Sequence, residues 1–488
     1  MNRRDILRGA ALMGGAALLT PETVWAAAAN VQAGDWTLGL ADVESDVAPT
    51  ALTRLHGRAP AELKGTLFRN GPAKFRRPGG SVGHWFDGDG MVRKFQIADG
   101  QARMAARFVD TVKRRNDTAA NAVITPGYGT APGPAARLTG PDDANAANTS
   151  VIMAGGELWA LWEGGSPTAL DPATLETRGF KTLRPDLKSM PFLAHPRVQP
   201  DGTIWNLGLS GRRAIVWKLA ADGALQKAEM IELPRASYMH DFTATARHLV
   251  ILLQPWVVGR FQMPISTAMT WKPELGTQVL VIDKDDLSKR RVFELPPFFF
   301  FHLGDAWEER DGAIRFDACV DENPFGTAQN AGLFLQGHHV PGPPPSRALI
   351  TLRPNGRGEL ARDAVTAEFP RGDARFAGEV RQYSVHLTNE QPDRPLFQGV
   401  AVRDWKRDRD QVFGFGPRHL VEEMVFVPRP GSSQELDGWL VGTTLNLDAK
   451  ATELHVFDAR RVEQGPIAAW RAPVALPVTF HGVFVQSA

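Results

Sequence analysis

The chain has 488 residues, 43% of them hydrophobic, and a net charge of +1. That balance offers no basic field for nucleic acid and no charged tail. Cys319 is the only cysteine, which excludes an intrachain disulfide and a thiolate metal cluster and leaves His, Asp or Glu to hold any metal ion.

In chain order, the first element is a targeting segment. Residues 1–8 read MNRRDILR, with Arg3 and Arg4 adjacent, followed by the apolar run GAALMGGAALL (9–19) and the small-residue stretch TPETVWAAAA. A charged head, an apolar stretch and a small-residue cleavage zone predict a signal peptide over residues 1–28. The twin arginine points to the Tat machinery, which exports folded proteins, and hence to a periplasmic location. The run is too short to span a bilayer. Residues 29–488 are expected to form a single domain.

The remainder is strand-like. Runs such as ELWALWE (157–163), HLVILLQPW (248–256) and QVLVID (278–283) are bounded by Gly, Pro, Asp and Asn, and long helical periodicity is absent. Three segments resemble one another: ALDPATL (169–175), VIDKDDL (281–287) and VFDARRV (456–462). Their aspartates, Asp171, Asp283 and Asp458, are 112 and 175 residues apart. Those gaps are two and three units of about 56–58 residues, a period typical of propellers. The expected fold is an all-β propeller, with an array of sandwiches as the alternative.

Of twelve histidines, His56, His248, His419 and His455 read as charged or strand-surface positions, and His338 and His339 lie in the loop QGHHVPGPPP. His195 in FLAHPRV, His240 in SYMHDFTAT, His302 in FFFFHLGDAWEE and His481 in VTFHGVFV instead follow apolar or small residues, as at inward strand ends. A single such histidine is more simply a core residue than a ligand. Their gaps of 45, 62 and 179 residues match one, one and three repeat units. Equivalent positions of different blades converge on a propeller axis, where four imidazoles would suit Zn, Cu, Fe or Ni. Carboxylates that could orient such rings are Glu163, Glu368 and Glu423, although each alone reads more simply as a surface or salt-bridged residue. HWFDGDGM invites a further ligand at His84 or a calcium loop at Asp87 and Asp89. The run is too short for an EF-hand loop and lacks its terminal Glu, so His84 is kept out of the metal site.

The ordered motifs LFRNGP (67–72), HWFDGDGMV (84–92), ANTSV (147–151), LWEGGSP (161–167), AHPR, MHDF, FFFFHLGDAWEE, EFPR, VFVPRPG, DGWL (437–440) and FHG resemble the carotenoid cleavage oxygenases over essentially all of residues 29–488. The resemblance implies a seven-bladed propeller whose loops form a dome over an axial metal site. Fe(II) would be held by His195, His240, His302 and His481, with Glu163, Glu368 and Glu423 behind the rings. It implies cleavage of a conjugated C=C bond by O2 to two carbonyl products. Thr149, in ANTSV, matches a threonine that crowds one open iron position and governs access of O2 and alkene. Stilbene-cleaving members carry Lys just before the first glutamate, where this chain has Trp162. An aromatic residue there resembles the apocarotenoid cleavers, with Phe301 as a second tunnel wall. Only three tyrosines occur, at 128, 238 and 383, which is expected to limit phenol recognition. The expected substrate is therefore an apolar apocarotenoid or carotenoid. A stilbenoid dioxygenase, an isomerohydrolase on the same iron shell and a non-catalytic periplasmic binding propeller are the alternatives. Segments 255–271 and 331–336 are apolar without strand alternation and are expected near a membrane-facing tunnel mouth, a peripheral contact.

Overall fold

Apolar runs punctuated by Gly, Pro and Asp turns become antiparallel strands through residues 35–389 and 394–487, the parts described in a computed structural model. The signal peptide expected over residues 1–28 lies outside the described residues. Seven sheets of four to six strands form the blades, and two two-stranded ribbons accompany them. The molecule is a seven-bladed β-propeller.

Within a blade, sequence order runs outward. Blade 2 is Ser150–Ala154, Glu157–Leu161, Thr168–Leu170 and Thr177–Phe180; blade 3 is Arg197–Val198, Ile204–Ser210, Arg213–Leu219 and Leu225–Glu232. Blade 4 is Thr243–Ala244, His248–Leu253, Thr277–Asp283 and Arg290–Leu295. Blade 5 begins with Phe299–Leu303 and continues through Ile314–Asp321, Ser346–Leu352 and Gly358–Thr366. Blade 6 is Glu368–Arg371, Tyr383–Thr388, Gly399–Asp404 and Arg409–Gly414. Blade 7 is built on Val425–Pro428, Gly438–Asn446, Ala451–Asp458 and Ala468–Arg471, with Thr53–Gly57 outermost. Blade 1 places His481–Gln486 innermost, then Gly65–Lys74, Asp89–Ala98, Gln101–Phe108 and Val47–Ala51. The two chain ends thus share the closure of the ring. Neighbouring N-terminal strands go to the outer edges of blades 1 and 7, while the last strand takes the inner edge of blade 1.

The burial pattern follows this radial order. Phe299–Leu303 is buried at every position, as a strand covered on both faces must be. Gln101–Phe108, near the rim, alternates between exposed and buried positions over its first half. The core is not one centre but a set of layers between blades: Val92 with Val151, Trp159 with Trp217, Trp205 with Leu249, Val250 with Phe316, Val400 with Phe457, and Phe95 with Trp470. The layer between blades 5 and 6 is polar instead. There Arg381 pairs with Asp317, Arg347 Nη1 lies 2.5 Å from Asp410, and the Arg347 guanidinium sits 5.6 Å from the Trp405 ring centre.

The three repeated segments occupy one structural position. Asp171, Asp283 and Asp458 each end the third strand of a blade or directly follow it. Their Oδ1 atoms accept amides of the turn, from Ala173 and Thr174, from Asp285 and Asp286, and from Arg460. The gaps counted in the sequence therefore span two and three blades. His455, read as a strand-surface position, is buried and bonded to Thr444, because Ala451–Asp458 is covered on both faces.

Candidate metal centre

The four histidines singled out by spacing come from the inner ends of blades 3, 4, 5 and 1. His195 and His240 stand just before the first strands of their blades, His302 lies within its strand, and His481 opens the last strand. One ring nitrogen of each falls within 4.8 Å of the others. Nε2 of His195 is 2.9 Å from Nε2 of His240, and Nε2 of His302 is 3.1 Å from Nε2 of His481.

Two networks deliver these rings. Arg197, two residues after His195, donates to the carbonyls of Phe242 (2.6 Å) and Leu303 (3.1 Å) and to Asp241 Oδ1 (2.6 Å). Asp241, next to His240, in turn accepts the Leu303 amide at 2.9 Å. One Arg–Asp pair thereby ties together the backbones beside three histidines. On the far side, Glu423 receives Nδ1 of His481 (2.9 Å), the Gly482 amide (2.9 Å), Arg69 (3.0 Å) and Arg371 (2.7 Å). Neither network was read from the sequence, although AHPR, MHDF, LFRNGP and EFPR contain its residues.

The three predicted glutamates all lie behind these rings. His240 Nδ1 pairs with Glu163, and His302 Nδ1 pairs with Glu368, while Glu423 serves His481. The carboxylates differ in their surroundings. Burial resists charge on Glu423, but Arg371, His481 and Arg69 overcome it and hold the carboxyl well below its usual range. Glu368 has no arginine, and burial pushes it up to about 8. Phe369 adopts a left-handed φ of 54°, a strained conformation for a non-glycine residue. That conformation accompanies an amide donated to Glu368 at 2.8 Å and a ring 4.8 Å from that of His302.

The donor set fits a cation. Burial is the largest influence on His195, His302 and His481, lowering the last two to about 3 and His195 well below its ordinary value. These rings therefore resist becoming imidazolium and stay neutral nitrogen donors, the form that binds a metal ion. At His240 burial also opposes charge, but Glu163 outweighs it and raises the pKa, so a metal ion would compete with a proton there. A bound divalent ion reverses the local balance and favours ionised carboxylates.

A cavity of about 1360 Å³ reaches the cluster, and Thr149, Trp162, Glu163, Phe301 and Glu368 line it. The Phe301 ring lies 5.1 Å from that of His240. A Cβ on Gly164 would fall 2.8 Å from the Trp162 ring, so glycine permits the chain to turn tightly over that indole. His84 is not part of the cluster: its Nε2–H donates to the Ala328 carbonyl (2.9 Å) and its Nδ1 accepts the Phe86 amide (3.1 Å). Asp87 accepts the Gly129 amide and the Thr130 hydroxyl, and Asp89 pairs with Lys113. Of the three tyrosines, Tyr128 and Tyr238 line the cavity. Their ring centres are 6.3 Å apart, and the Tyr238 hydroxyl donates to Glu163 at 3.3 Å.

Four histidines at the inner ends of the propeller's blades, three of them backed by glutamates, form a site fitted to a metal ion. The family model described as retinal pigment epithelial membrane protein matches residues 40–486, and the chain belongs to that family, the carotenoid cleavage oxygenases. It is 27% identical to the apocarotenoid-15,15'-oxygenase of Synechocystis, over 95% of this chain and 96% of that protein. It is 28% identical to resveratrol cleavage oxygenase 1 of Aspergillus fumigatus, over 91% and 93%. The cobalt-substituted apocarotenoid oxygenase of Synechocystis shares the fold, with a TM-score of 0.82 and 24% identity over 93% of this chain and 98% of that one.

Proposed function

We propose that this oxygenase cleaves a conjugated C=C bond of an apocarotenoid or carotenoid with O2, giving two aldehydes, and that His195, His240, His302 and His481 hold Fe(II). The carrying observation is the largely apolar cavity of about 1360 Å³ whose lining includes His240, His302 and His481, three of the four clustered histidines. Bound Fe(II) supplies the dioxygen chemistry that side chains cannot. The chain's own residues do the rest. Glu163, Glu368 and Glu423 orient the rings and offset the metal's charge. Trp162 and Phe301 hold the polyene and exclude water, and Thr149 restricts which face of the site oxygen and alkene reach. The reaction balances without another reductant, since each oxygen atom of O2 ends in one carbonyl product. Incubating Fe(II)-loaded protein with a panel of apocarotenals, carotenoids and stilbenes under labelled O2 tests this. Two aldehydes, both labelled, are expected from an apocarotenal; an isomerised, unlabelled product would overturn it.

Tyr128 and Tyr238 beside Glu163 favour a second reading, cleavage of a hydroxylated stilbene to benzaldehydes, and the same panel distinguishes it. For location, the twin-arginine head supports Tat export to the periplasm, testable by fusing residues 1–34 to a reporter in a strain lacking Tat. The apolar cavity rim supports a peripheral membrane contact. Phe261 is 70% exposed there, and Phe261, Met263 and Ile265 line the opening.

A further inference from the structure

Four buried or partly buried glutamates line or adjoin the cavity, and three of them face a histidine. Glu422 does not. It is next to Glu423 in sequence, its side chain is 3% exposed, and it lines the cavity with Thr479. Leu396, Phe397, Val478 and Phe480 line the same cavity. These residues come from blades 6 and 7 and the segment entering blade 1, whereas Trp162 and Phe261 come from the opposite side. Besides His302 and His481, the cavity thus has on this side an apolar arm of lining residues that contains a carboxylate.

The carboxylate is built into the wall. Its Oε2 accepts the Thr479 amide at 2.7 Å and the Thr479 hydroxyl. Arg69 Nε donates to Thr479 Oγ1 at 2.9 Å, while Arg69 Nη2 and Arg93 Nη1 lie 3.7 Å and 4.0 Å from Glu422 Oε2. Nε and Nη2 of the buried Arg93 have no partner, so this guanidinium serves as charge behind the carboxylate. The neighbouring polar group Asn389 is committed to Leu396 and Gln398.

From this arrangement we infer that Glu422 is a specificity-determining residue that accepts a hydroxyl group at the end of the substrate lying in this arm. A carboxylate is an acceptor only and has room for about four hydrogen bonds, of which Thr479 supplies two. The group it takes must therefore donate. A terminal-ring hydroxyl does so, and an aldehyde or bare hydrocarbon end does not. Glu422 would thus select both the class of substrate, a hydroxylated one, and its direction, with the hydroxyl end past the metal site.

The inference rests on the proposed alkene cleavage for its substrate class, but its test does not require turnover. Two apocarotenals differing only by one terminal-ring hydroxyl are titrated against the wild-type protein, Glu422→Gln and Glu422→Leu, following quenching of tryptophan fluorescence, with product formation measured in parallel. A hydrogen bond to a charged group predicts that wild type binds the hydroxylated compound about tenfold more tightly or better. The ratio should shrink in Glu422→Gln and vanish in Glu422→Leu. No preference in wild type, or an equal preference in both variants, would overturn the inference, whatever the variants' stability. A hydroxyl preference that depends on Glu422 without any cleavage would leave it standing and remove the proposed reaction.

Discussion

Arg197 Nη2 lies 2.6 Å from Asp241 Oδ1, and around this contact the backbones next to His195, His240 and His302 are joined. Asp241 uses Oδ1 for Arg197 and the Phe242 amide and Oδ2 for the Leu303 amide. In Asp241→Asn one of these donors meets an amide NH2 instead of an acceptor. The variant should hold iron about 10–100-fold more weakly, as expected when the support of a metal ligand is lost. Iron stoichiometry after dialysis against graded chelator checks this, with His302→Ala, expected to retain no stoichiometric iron, as the reference.

Glu423 and Glu368 should respond differently to the same change. Glu423→Gln leaves Arg69 and Arg371 without their shared carboxylate, and breaking a buried ion pair from one side costs about 3–5 kcal/mol. Glu368→Gln breaks no arginine pair and should unfold close to wild type. Denaturant unfolding of the metal-free proteins distinguishes them; equal losses would contradict the assigned networks.

Trp162 forms part of the cavity wall beside Glu163. Removing a buried apolar contact of this size is worth about 1.5–3 kcal/mol. Trp162→Ala should therefore raise KM for an apocarotenal about tenfold or more while leaving iron content intact. A change in kcat alone would place the indole outside the binding path.

Histidines outside the metal site should also make stability depend on pH. Burial lowers both His386 and His455 to about 3, against an ordinary value of 6.5. Between those values the unfolded chain binds protons that the folded chain refuses, so stability is full above about 6.5 and falls as pH drops towards 3. Each group costs on the order of 2 kcal/mol at pH 5. His386 belongs to the polar layer between blades 5 and 6, and its Nε2 has no partner. His386→Phe should flatten the decline in Tm between pH 7 and pH 4; an unchanged slope would show that other groups control it.

The exposed ring of Phe261 gives the proposed membrane contact a direct test. Phe261→Glu should reduce cosedimentation with phospholipid vesicles and raise KM only when substrate is presented in vesicles. Equal KM in vesicles and detergent for both proteins would argue against a docking role.

The repeat was legible because a structural demand recurs with the blades. A strand end that turns back needs an acceptor for its turn amides, and Asp171, Asp283 and Asp458 supply one. Asp404 does the same in blade 6, accepting Lys406 and Arg407 amides at 3.1 Å and 3.0 Å. Its segment departs from the repeated pattern, because the position four residues later, apolar in the other three, is Asp408, which has a φ of 53°. The placement of Tyr128 and Tyr238 on the cavity wall is not legible in composition, which carries no information about which side of a loop faces a cavity.

By itself the sequence determined the strand-rich fold, the blade period and the set of histidines able to meet. Each blade advances the chain by one angular step, so linear spacing translates into position around an axis. Only the tertiary structure decided which charges stand behind those histidines and where the cavity continues beyond them. Arg69 and Glu423 are 354 residues apart and share no local pattern. They meet because the last strand closes the first blade beside blade 7, where burial makes Arg69, Arg371 and His481 gather on the one carboxylate of Glu423.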